Sequence, residues 1–218
     1  MDKLDCIFYI NLEKRTDRRK YVEQELASIG FPDHKIERYK AIENKNGAIG
    51  CTLSHIMCLK MAMQRKLNNV MIVEDDICFT DKEFMKSSFN KIFDYSFDVF
   101  MLGVNLFDYE PIDNIMIRVL GAGTTTGYIV KNHYYETLLS NYKKGLELLL
   151  QTNDKSQYCI DSYTIRTLQH QDRWMTFRNL TVTQITDYSD IENRNVNYDV
   201  YMLKNIETMP IIKYRLNK

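Results

Sequence analysis

The residues best suited to chemistry are three consecutive acids, Glu74, Asp75 and Asp76, which follow four apolar residues directly. The apolar run 70–73 is typical of a buried strand, and ligands bind just beyond the carboxyl ends of parallel strands. Along an extended chain, Glu74 and Asp76 point to one face and Asp75 to the other. Two carboxylates on one face repel each other unless a cation lies between them, and hard divalent cations prefer oxygen ligands. The triplet alone supports a metal site and a solvated turn about equally.

Several cations follow the first predicted strand, within residues 11–20. They lie at a turn between strand and helix, where phosphate is bound well, although the dipole of a helix disfavours cations at its amino end. Arg15 precedes the helix and can face the carboxyl edge of the sheet, which makes it the candidate ligand. We interpret Arg18, Arg19 and Lys20 as a charged helix surface paired with neighbouring acids.

A glycine-containing stretch, residues 43–50, precedes a helix that we predict to start at Thr52. Its glycines permit close approach to a helix start, where free amides, Ser54 and His55 could meet a diphosphate or a sugar. The alternative is an ordinary loop before a capped helix, with a structural histidine.

Strand and helix patterns alternate along the chain, which predicts an α/β fold with a sheet that is parallel at first and mixed later. The first helix has Thr16 as its expected N-cap and Val22, Leu26 and Ile29 on one face, and Gly30 and then Pro32 close it. The predicted strands cover residues 6–12, 70–73, 98–102, 115–120, 127–131, 174–177 and 180–184, and the other helices start at Thr52 or cover 81–93, 134–150 and 160–168.

Composition excludes several classes of protein. With 218 residues, 44% of them hydrophobic, the chain can bury the core of one domain. Equal numbers of basic and acidic residues, 29 each, indicate no nucleic-acid partner. The five cysteines are odd in number and form no Cys-x-x-Cys pair, which is typical of reduced thiols in a cytosolic protein. Neither a signal peptide nor a membrane span is evident, so we expect a soluble cytoplasmic protein. P-loop, Rossmann, zinc-protease and serine-hydrolase motifs are absent.

Three motifs occur in a specific order along the chain. They are Ile-Asn-Leu-x-x-Arg-x-Asp-Arg-Arg at 10–19, Gly-Cys-x-x-Ser-His at 50–55 and Val-Glu-Asp-Asp at 73–76. This order resembles glycosyltransferase family 25, which includes bacterial lipooligosaccharide galactosyltransferases and procollagen galactosyltransferases. Segments 123–130, 160–161 and 184–191 fit as well, so the similarity spans about residues 6–191.

The resemblance implies a GT-A-like nucleotide-sugar-binding fold, with a central mixed, mostly parallel sheet flanked by helices. It implies one glycosyltransferase domain over residues 1–218, with a nucleotide-binding half at about 1–105 and an acceptor and catalytic half at about 106–218. The implied reaction is a metal-dependent, inverting transfer of a hexose, galactose or glucose, from a UDP-sugar to a hydroxyl of a glycan or a protein.

The resemblance also implies roles for particular residues. Asp76, with Glu74, would bind Mn²⁺ or Mg²⁺, which would bridge the donor phosphates and neutralise charge on the departing diphosphate. The residues expected to line the nucleotide-sugar site are Asn11, Arg15, Ser54, His55, Glu74, Asp75, Gly123 and Thr124.

An inverting transfer needs a base that takes the proton of the acceptor hydroxyl. Asp161 is the first candidate, although an aspartate at a helix start is commonly an N-cap. Asp190 and Asp187 compete with it, as the base or as a further metal ligand, and the segment 187–190 also fits a simple turn.

Several alternatives stay open at the level of sequence. The mildly basic tail 210–215, shorter than expected of bacterial relatives, fits a peripheral membrane contact or a frayed terminus. A Mg²⁺-dependent phosphohydrolase and a non-catalytic relative that binds nucleotide sugars are the alternative functions. The choice between galactose and glucose, the acceptor and the oligomeric state are not determined.

Overall fold

The computed structural model describes residues 1, 3–192 and 194–209, so the basic tail 210–215 lies outside the described residues. The strands are β1 (Cys6–Asn11), β2 (Ile36–Lys40), β3 (Asn69–Glu74), β4 (Ile77–Phe79), β5 (Val99–Met101), β6 (Asn105–Pro111), β7 (Met116–Gly123), β8 (Gly127–Lys131), β9 (Trp174–Phe177), β10 (Val182–Gln184), β11 (Asp187–Ser189) and β12 (Arg194–Val196). The α-helices are α1 (Thr16–Ile29), α2 (Gly47–Gln64), α3 (Lys82–Ser88), α4 (Tyr135–Thr152), α5 (Lys155–Tyr158), α6 (Ile160–Thr164) and α7 (Asp199–Met202).

Eight strands form one central sheet in the order β2-β1-β3-β8-β5-β9-β7-β6. Strand β1 pairs in parallel with β2 and β3, and β5 pairs in parallel with β9, whereas the remaining neighbours are antiparallel. Following these pairings across the sheet, β1, β2, β3, β5, β6 and β9 share one direction, and β7 and β8 run the other way. The prediction of a mixed sheet flanked by helices, as in a GT-A-like fold, is confirmed. Six of the eight strands share one direction, although only three of the seven neighbouring pairs are parallel.

The central strands are buried on both faces, so each of them contributes to two hydrophobic cores. Along β1, Phe8 belongs to the core that contains Leu59 of α2, whereas Ile7 belongs to the core that contains Leu26 of α1 and Met85 of α3. This alternation follows from the period of two in a strand. No helix in the described part of the chain is both long enough and apolar enough to cross a membrane.

Helix α2 begins at Gly47, so the predicted start at Thr52 is wrong. The side chain of Asn46 accepts a hydrogen bond from the amide of Ala48 and caps the helix five residues earlier. The expected glycine loop is therefore partly the first turn of this helix. Gly50 is required for packing, since a Cβ there would lie 2.4 Å from the carbonyl oxygen of Ile42.

Helix α1 also differs from the prediction at its amino end. Thr16 is its first residue, Arg15 occupies the cap position and no side chain there accepts a capping hydrogen bond. The carboxyl end is as expected, because Gly30 adopts a left-handed conformation with φ of 89° and closes the helix. Strands β2, β4, β6, β11 and β12 were not predicted, since none of them contains a long apolar run.

We predict that Gly50→Ala destabilises the protein by about 1–3 kcal/mol, because the methyl group must displace backbone rather than a flexible side chain. Gly121→Ala is the matched control, since its Cβ would make ordinary contact with Asp108, 3.6 Å away. Denaturant unfolding of both variants measures the difference. Equal free energies of unfolding in the two variants would contradict the packing role of Gly50.

Candidate active site

The three acids lie at the carboxyl edge of the central sheet, as the sequence predicts. Strand β3 ends at Glu74, and in the neighbouring strand β1 Ile10 is its register partner. Asn11, the last residue of β1, therefore lies beside the triplet. Its side-chain amide donates a hydrogen bond of 2.7 Å to Oδ2 of Asp75 and is almost fully buried. This geometry makes Asn11 a support for Asp75.

Glu74 and Asp76 share one contact that Asp75 does not have. Nε2 of Gln184 lies 3.4 Å from Oε2 of Glu74 and 3.3 Å from Oδ1 of Asp76, so one amide contacts both carboxylates. Asp75 instead accepts hydrogen bonds from Asn11 and from Arg18. The expected division of the triplet between two faces is only partly observed, because the strand ends at Glu74 and Nη1 of Arg18 contacts both Asp75 and Asp76.

Arg18 is a site residue that sequence reasoning missed, and its interpretation as part of a solvated helix surface is wrong. Its side chain is buried and Nη1 lies 3.2 Å from Oδ1 of Asp75 and 3.1 Å from Oδ2 of Asp76. The signal was present in the sequence, because residue 18 shares a helical face with the apolar residues Val22 and Leu26.

Arg15 and Arg18 also hold the short hairpin formed by β11 and β12. Arg15 binds the carboxylates of Asp187 and Asp190, at 2.5 and 2.9 Å, and Arg18 binds Asp187 at 3.1 Å. Both guanidinium groups donate to the carbonyl oxygen of Tyr188. Asp187 and Asp190 are therefore paired with arginines, and the predicted position of Arg15 at the sheet edge is confirmed.

Two cavities open at this edge and share a wall. The larger one has a volume of about 840 Å³ and the smaller one about 690 Å³, both in the range of ligand sites. The larger cavity is lined by, among others, Phe107, Gly123, Thr124, Asp161, Lys155, Arg166 and Tyr198, and the smaller one by Arg15, Arg18, Ile42, Ser54, His55, Asp75 and Asp190. The residues common to both are Cys51, Glu74, Asp76, Ser189 and Ile191.

Asp161 is fixed in the wall of the larger cavity by two backbone amides. Its Oδ2 accepts a hydrogen bond of 3.0 Å from the amide of Thr124, and its Oδ1 accepts one of 2.8 Å from Ser162. It is the second residue of α6 and so does not occupy the N-cap position. Thr124 has φ of 79°, an uncommon and strained conformation for a β-branched residue. A Cβ on Gly123 would lie 3.4 Å from Oδ2 of Asp161. Gly123, Thr124 and Asp161 are therefore packed against one another in this wall.

Ser54 and His55 lie further along α2 than the sequence suggested. They are two turns inside the helix, which corrects the expectation that they meet a ligand at a helix start. Ser54 accepts a hydrogen bond from the amide of Ile42 and donates one to the carbonyl of Gly50. His55 is fully buried, with Nε2 3.2 Å from Oε1 of Glu74.

The crowded carboxylates have opposite pKa shifts. Burial, followed by the charges of Glu74 and Asp75, raises the pKa of Asp76 to about 7. Burial also raises the pKa of Asp75. For Glu74 burial acts in the same direction, but hydrogen bonds from His55 and Thr125 outweigh it and hold the pKa below its usual value. Asp76 is thus the carboxyl group whose charge needs a further cation.

Comparison with known proteins agrees with the motifs on this sheet edge. Residues 45–164 match the profile described as "Glycosyltransferase family 25 (LPS biosynthesis protein)", which is more than half of the chain and includes the acid triplet and Asp161. The chain belongs to glycosyltransferase family 25. A similar curated protein is a "Glycosyltransferase 25 family member" of Drosophila pseudoobscura pseudoobscura, 32% identical over 104 residues. That match covers 35% of this chain and 16% of the length of the fly protein.

Solved structures with a related chain trace are more distant. A mannose-1-phosphate geranyltransferase from Thermus thermophilus has a TM-score of 0.49 at 10% identity, covering 80% of this chain and 73% of its own. A glycosyltransferase involved in the glycosylation of the major capsid of PBCV-1 has a TM-score of 0.48 at 12% identity, covering 78% of this chain and 81% of its own.

The raised pKa of Asp76 predicts a pH-dependent effect of Asp76→Asn in this family 25 protein. Between about pH 4 and pH 7, folded Asp76 keeps a proton that the unfolded chain has released, so its contribution to stability is lost as the pH rises to 7. Asparagine mimics the protonated acid. The variant should therefore gain stability over the wild type by up to about 1.4 kcal/mol per pH unit in this window. Unfolding in chelator at pH 5 and pH 8 measures this gain, and an equal difference at both values would contradict the assignment.

Arg18→Gln should destabilise the protein by about 3 kcal/mol or more, because it leaves buried carboxylates without their cation. Arg19→Gln, which removes an exposed ion pair with Glu23, should cost less than about 1 kcal/mol. The two substitutions change the net charge equally, so the difference between their free energies of unfolding, measured with denaturant, reports the effect of burial. A small effect of Arg18→Gln, similar to that of Arg19→Gln, would show that the acids do not depend on Arg18.

Proposed function

We propose that this family 25 glycosyltransferase transfers a hexose, galactose or glucose, from a UDP-sugar to an acceptor hydroxyl on a glycan or a protein, with metal dependence and inversion. The observation that carries the proposal is the shared wall of the two cavities. Asp76 lines both of them, and Asp161 lines the larger one. A donor in one cavity and an acceptor in the other would therefore meet at the acids.

The smaller cavity is suited to the nucleotide end of the donor. Arg15 and Arg18 supply positive charge there, and the wall also contains Ser54, His55 and Asp75. Asn11 acts from behind this wall by orienting the carboxylate of Asp75. In this arrangement the diphosphate would extend toward Asp76, and the hexose would enter the larger cavity beside Gly123 and Thr124.

The donor set around Asp76 fits a hard divalent cation. Oδ1 of Asp76 and Oε2 of Glu74 converge on the same amide of Gln184, and both are carboxylate oxygens of the kind that Mn²⁺ and Mg²⁺ prefer. When bound there, the ion would supply electrostatic stabilisation of the departing diphosphate. Burial, followed by the charges of Glu74 and Asp75, raises the pKa of Asp76, which is consistent with this role because a bound cation would favour the ionised carboxylate.

Asp161 is our candidate for the general base. The amides of Thr124 and Ser162 fix its carboxylate in the larger cavity, where it could take the proton of an acceptor hydroxyl attacking the anomeric carbon. Asp190 remains the second candidate, but its ion pair with Arg15 favours a role in holding the β11–β12 hairpin. Cytoplasmic residence and a peripheral membrane contact stay predictions.

Two substitutions test separate parts of this proposal. Asp76→Asn should abolish the thermal stabilisation that a UDP-sugar with Mn²⁺ gives to the wild type, together with transfer and slow donor hydrolysis. Asp161→Asn should keep that stabilisation but lower the rate of transfer by about 10²–10⁴-fold. Asp33→Asn, at an exposed aspartate outside both cavities, is the control and should behave as wild type.

The measurement is a melting curve and a diphosphate-release assay over a panel of nucleotide sugars, with Mn²⁺ and with chelator. Activity that persists in chelator or in Asp76→Asn would contradict the metal assignment. Release of inorganic phosphate from phosphate esters, without a response to sugar nucleotides, would favour the phosphohydrolase. Donor binding with neither hydrolysis nor transfer would favour the non-catalytic relative.

A further inference from the structure

Three side chains with different metal-ligating atoms converge in the wall between the cavities. They are Cys51 and His55 of α2 and Glu74 of β3, and their ligand atoms all lie within 4.8 Å of one another. Cys51 and His55 are four residues apart in a helix, so they share one of its faces. We refer to these three residues as the Cys–His–Glu cluster.

Two of the three distances within the cluster are close to those around a tetrahedral ion. Oε1 of Glu74 lies 3.2 Å from Nε2 of His55 and 3.7 Å from Sγ of Cys51. In tetrahedral zinc sites, with bonds of about 2.0 Å to nitrogen or oxygen and about 2.3 Å to sulfur, ligand atoms are about 3.3–3.8 Å apart. Small side-chain movements would therefore suffice to bring all three atoms to one ion.

Surrounding hydrogen bonds orient two of the three ligands. Nδ1 of His55 lies 3.1 Å from the hydroxyl of Tyr128, and the two rings stack at 5.7 Å. Without an ion, Nε2–H of His55 donates to Oε1 of Glu74. Ion binding would require the other tautomer, which donates from Nδ1 to the hydroxyl of Tyr128 and directs the lone pair of Nε2 at the ion, because a metal-binding histidine donates from its other ring nitrogen. On the other side, the hydroxyl of Thr125 donates a hydrogen bond of 2.6 Å to Oε1 of Glu74.

We propose that the Cys–His–Glu cluster is a binding site for a borderline-soft divalent cation of the Zn²⁺ class, distinct from the hard-cation site at Asp76. The reason is the donor set, since a thiolate with an imidazole favours zinc over Mg²⁺ or Mn²⁺. Three protein ligands leave a fourth position, which can open into the cavities because Cys51 and Glu74 line both. Binding replaces the proton of the Cys51 thiol, which passes to solvent.

Glu74 connects this cluster to Asp76. Its Oε1 belongs to the cluster, whereas its Oε2 faces the amide of Gln184, which also contacts Asp76. An ion in the cluster would fix the carboxylate plane of Glu74 and so alter the affinity of the hard-cation site. The two sites are therefore expected to be thermodynamically linked.

Cobalt is the probe, because Co²⁺ replaces zinc and reports thiolate coordination through a charge-transfer absorption in the near ultraviolet. The full chain, stripped with chelator, is titrated with Co²⁺ alone. We expect the band to saturate at one equivalent and Zn²⁺ to abolish it by displacement. Cys51→Ser should remove the band, and His55→Gln should weaken cobalt binding at least tenfold. Circular dichroism checks that each variant is folded. If Cys51→Ser is unfolded, Cys51→Ala is used in its place.

Two controls identify the site. Cys159→Ser removes another partly exposed thiol from the larger cavity and should leave the band unchanged. Asp76→Asn should also retain it, because Asp76 is not a member of the cluster. A wild type without the band, or a band that survives Cys51→Ser, would overturn the proposal. Neither result bears on the transferase, whose test is transfer by Asp76→Asn and Asp161→Asn.

Discussion

Three adjacent carboxylates at the end of one buried strand require positive charge within hydrogen-bond distance, and this requirement organises the edge of the sheet. Arg18 supplies that charge from a buried position, in contact with Asp75 and Asp76. A desolvated ion pair is stable only when its remaining hydrogen bonds are satisfied, and the amide of Asn11 completes the shell of Asp75. Helix α1 and strands β1 and β3 are thus joined by one charge cluster rather than by apolar contacts alone.

The same constraint positions the β11–β12 hairpin. Asp187 and Asp190 lie far from the triplet in sequence, but Arg15 and Arg18 bind both carboxylates and the carbonyl oxygen of Tyr188 between them. The hairpin is thereby held where its residues form part of both cavity walls. Because Arg18 contacts both the triplet and Asp187, a divalent cation that joined the acids would compete with Arg18 for Asp76 and so change its pairing with the hairpin. Donor binding and hairpin position are therefore electrostatically connected.

Sequence patterns predicted the elements whose periodicity is strong, and failed where a single polar residue decided the outcome. The run ending at Val73 and the helical spacing of Val22 and Leu26 indicated β3 and α1 directly, because burial on both faces or on one helical stripe leaves a clear signal. The start of α2 was missed, since Asn46 caps it and the glycine that follows was assigned to the stretch before the helix. Arg18 was missed because its charge was weighed above its position on the buried stripe.

Within the site, the sequence predicted which residues lie at the sheet edge but not which oxygen meets which partner. Oε1 of Glu74 accepts hydrogen bonds from Thr125 and His55, at 2.6 and 3.2 Å. Asp76 contacts the guanidinium of Arg18 and the amide of Gln184, at 3.1 and 3.3 Å. Rotation of Glu74 would break its bonds to Thr125 and His55 together, whereas the charge partner of Asp76 is Arg18, and a divalent cation can take the place of that guanidinium. Asp76 is therefore the carboxylate whose pairing changes when a metal and a donor arrive, while the bonds to Thr125 and His55 hold Glu74 in place.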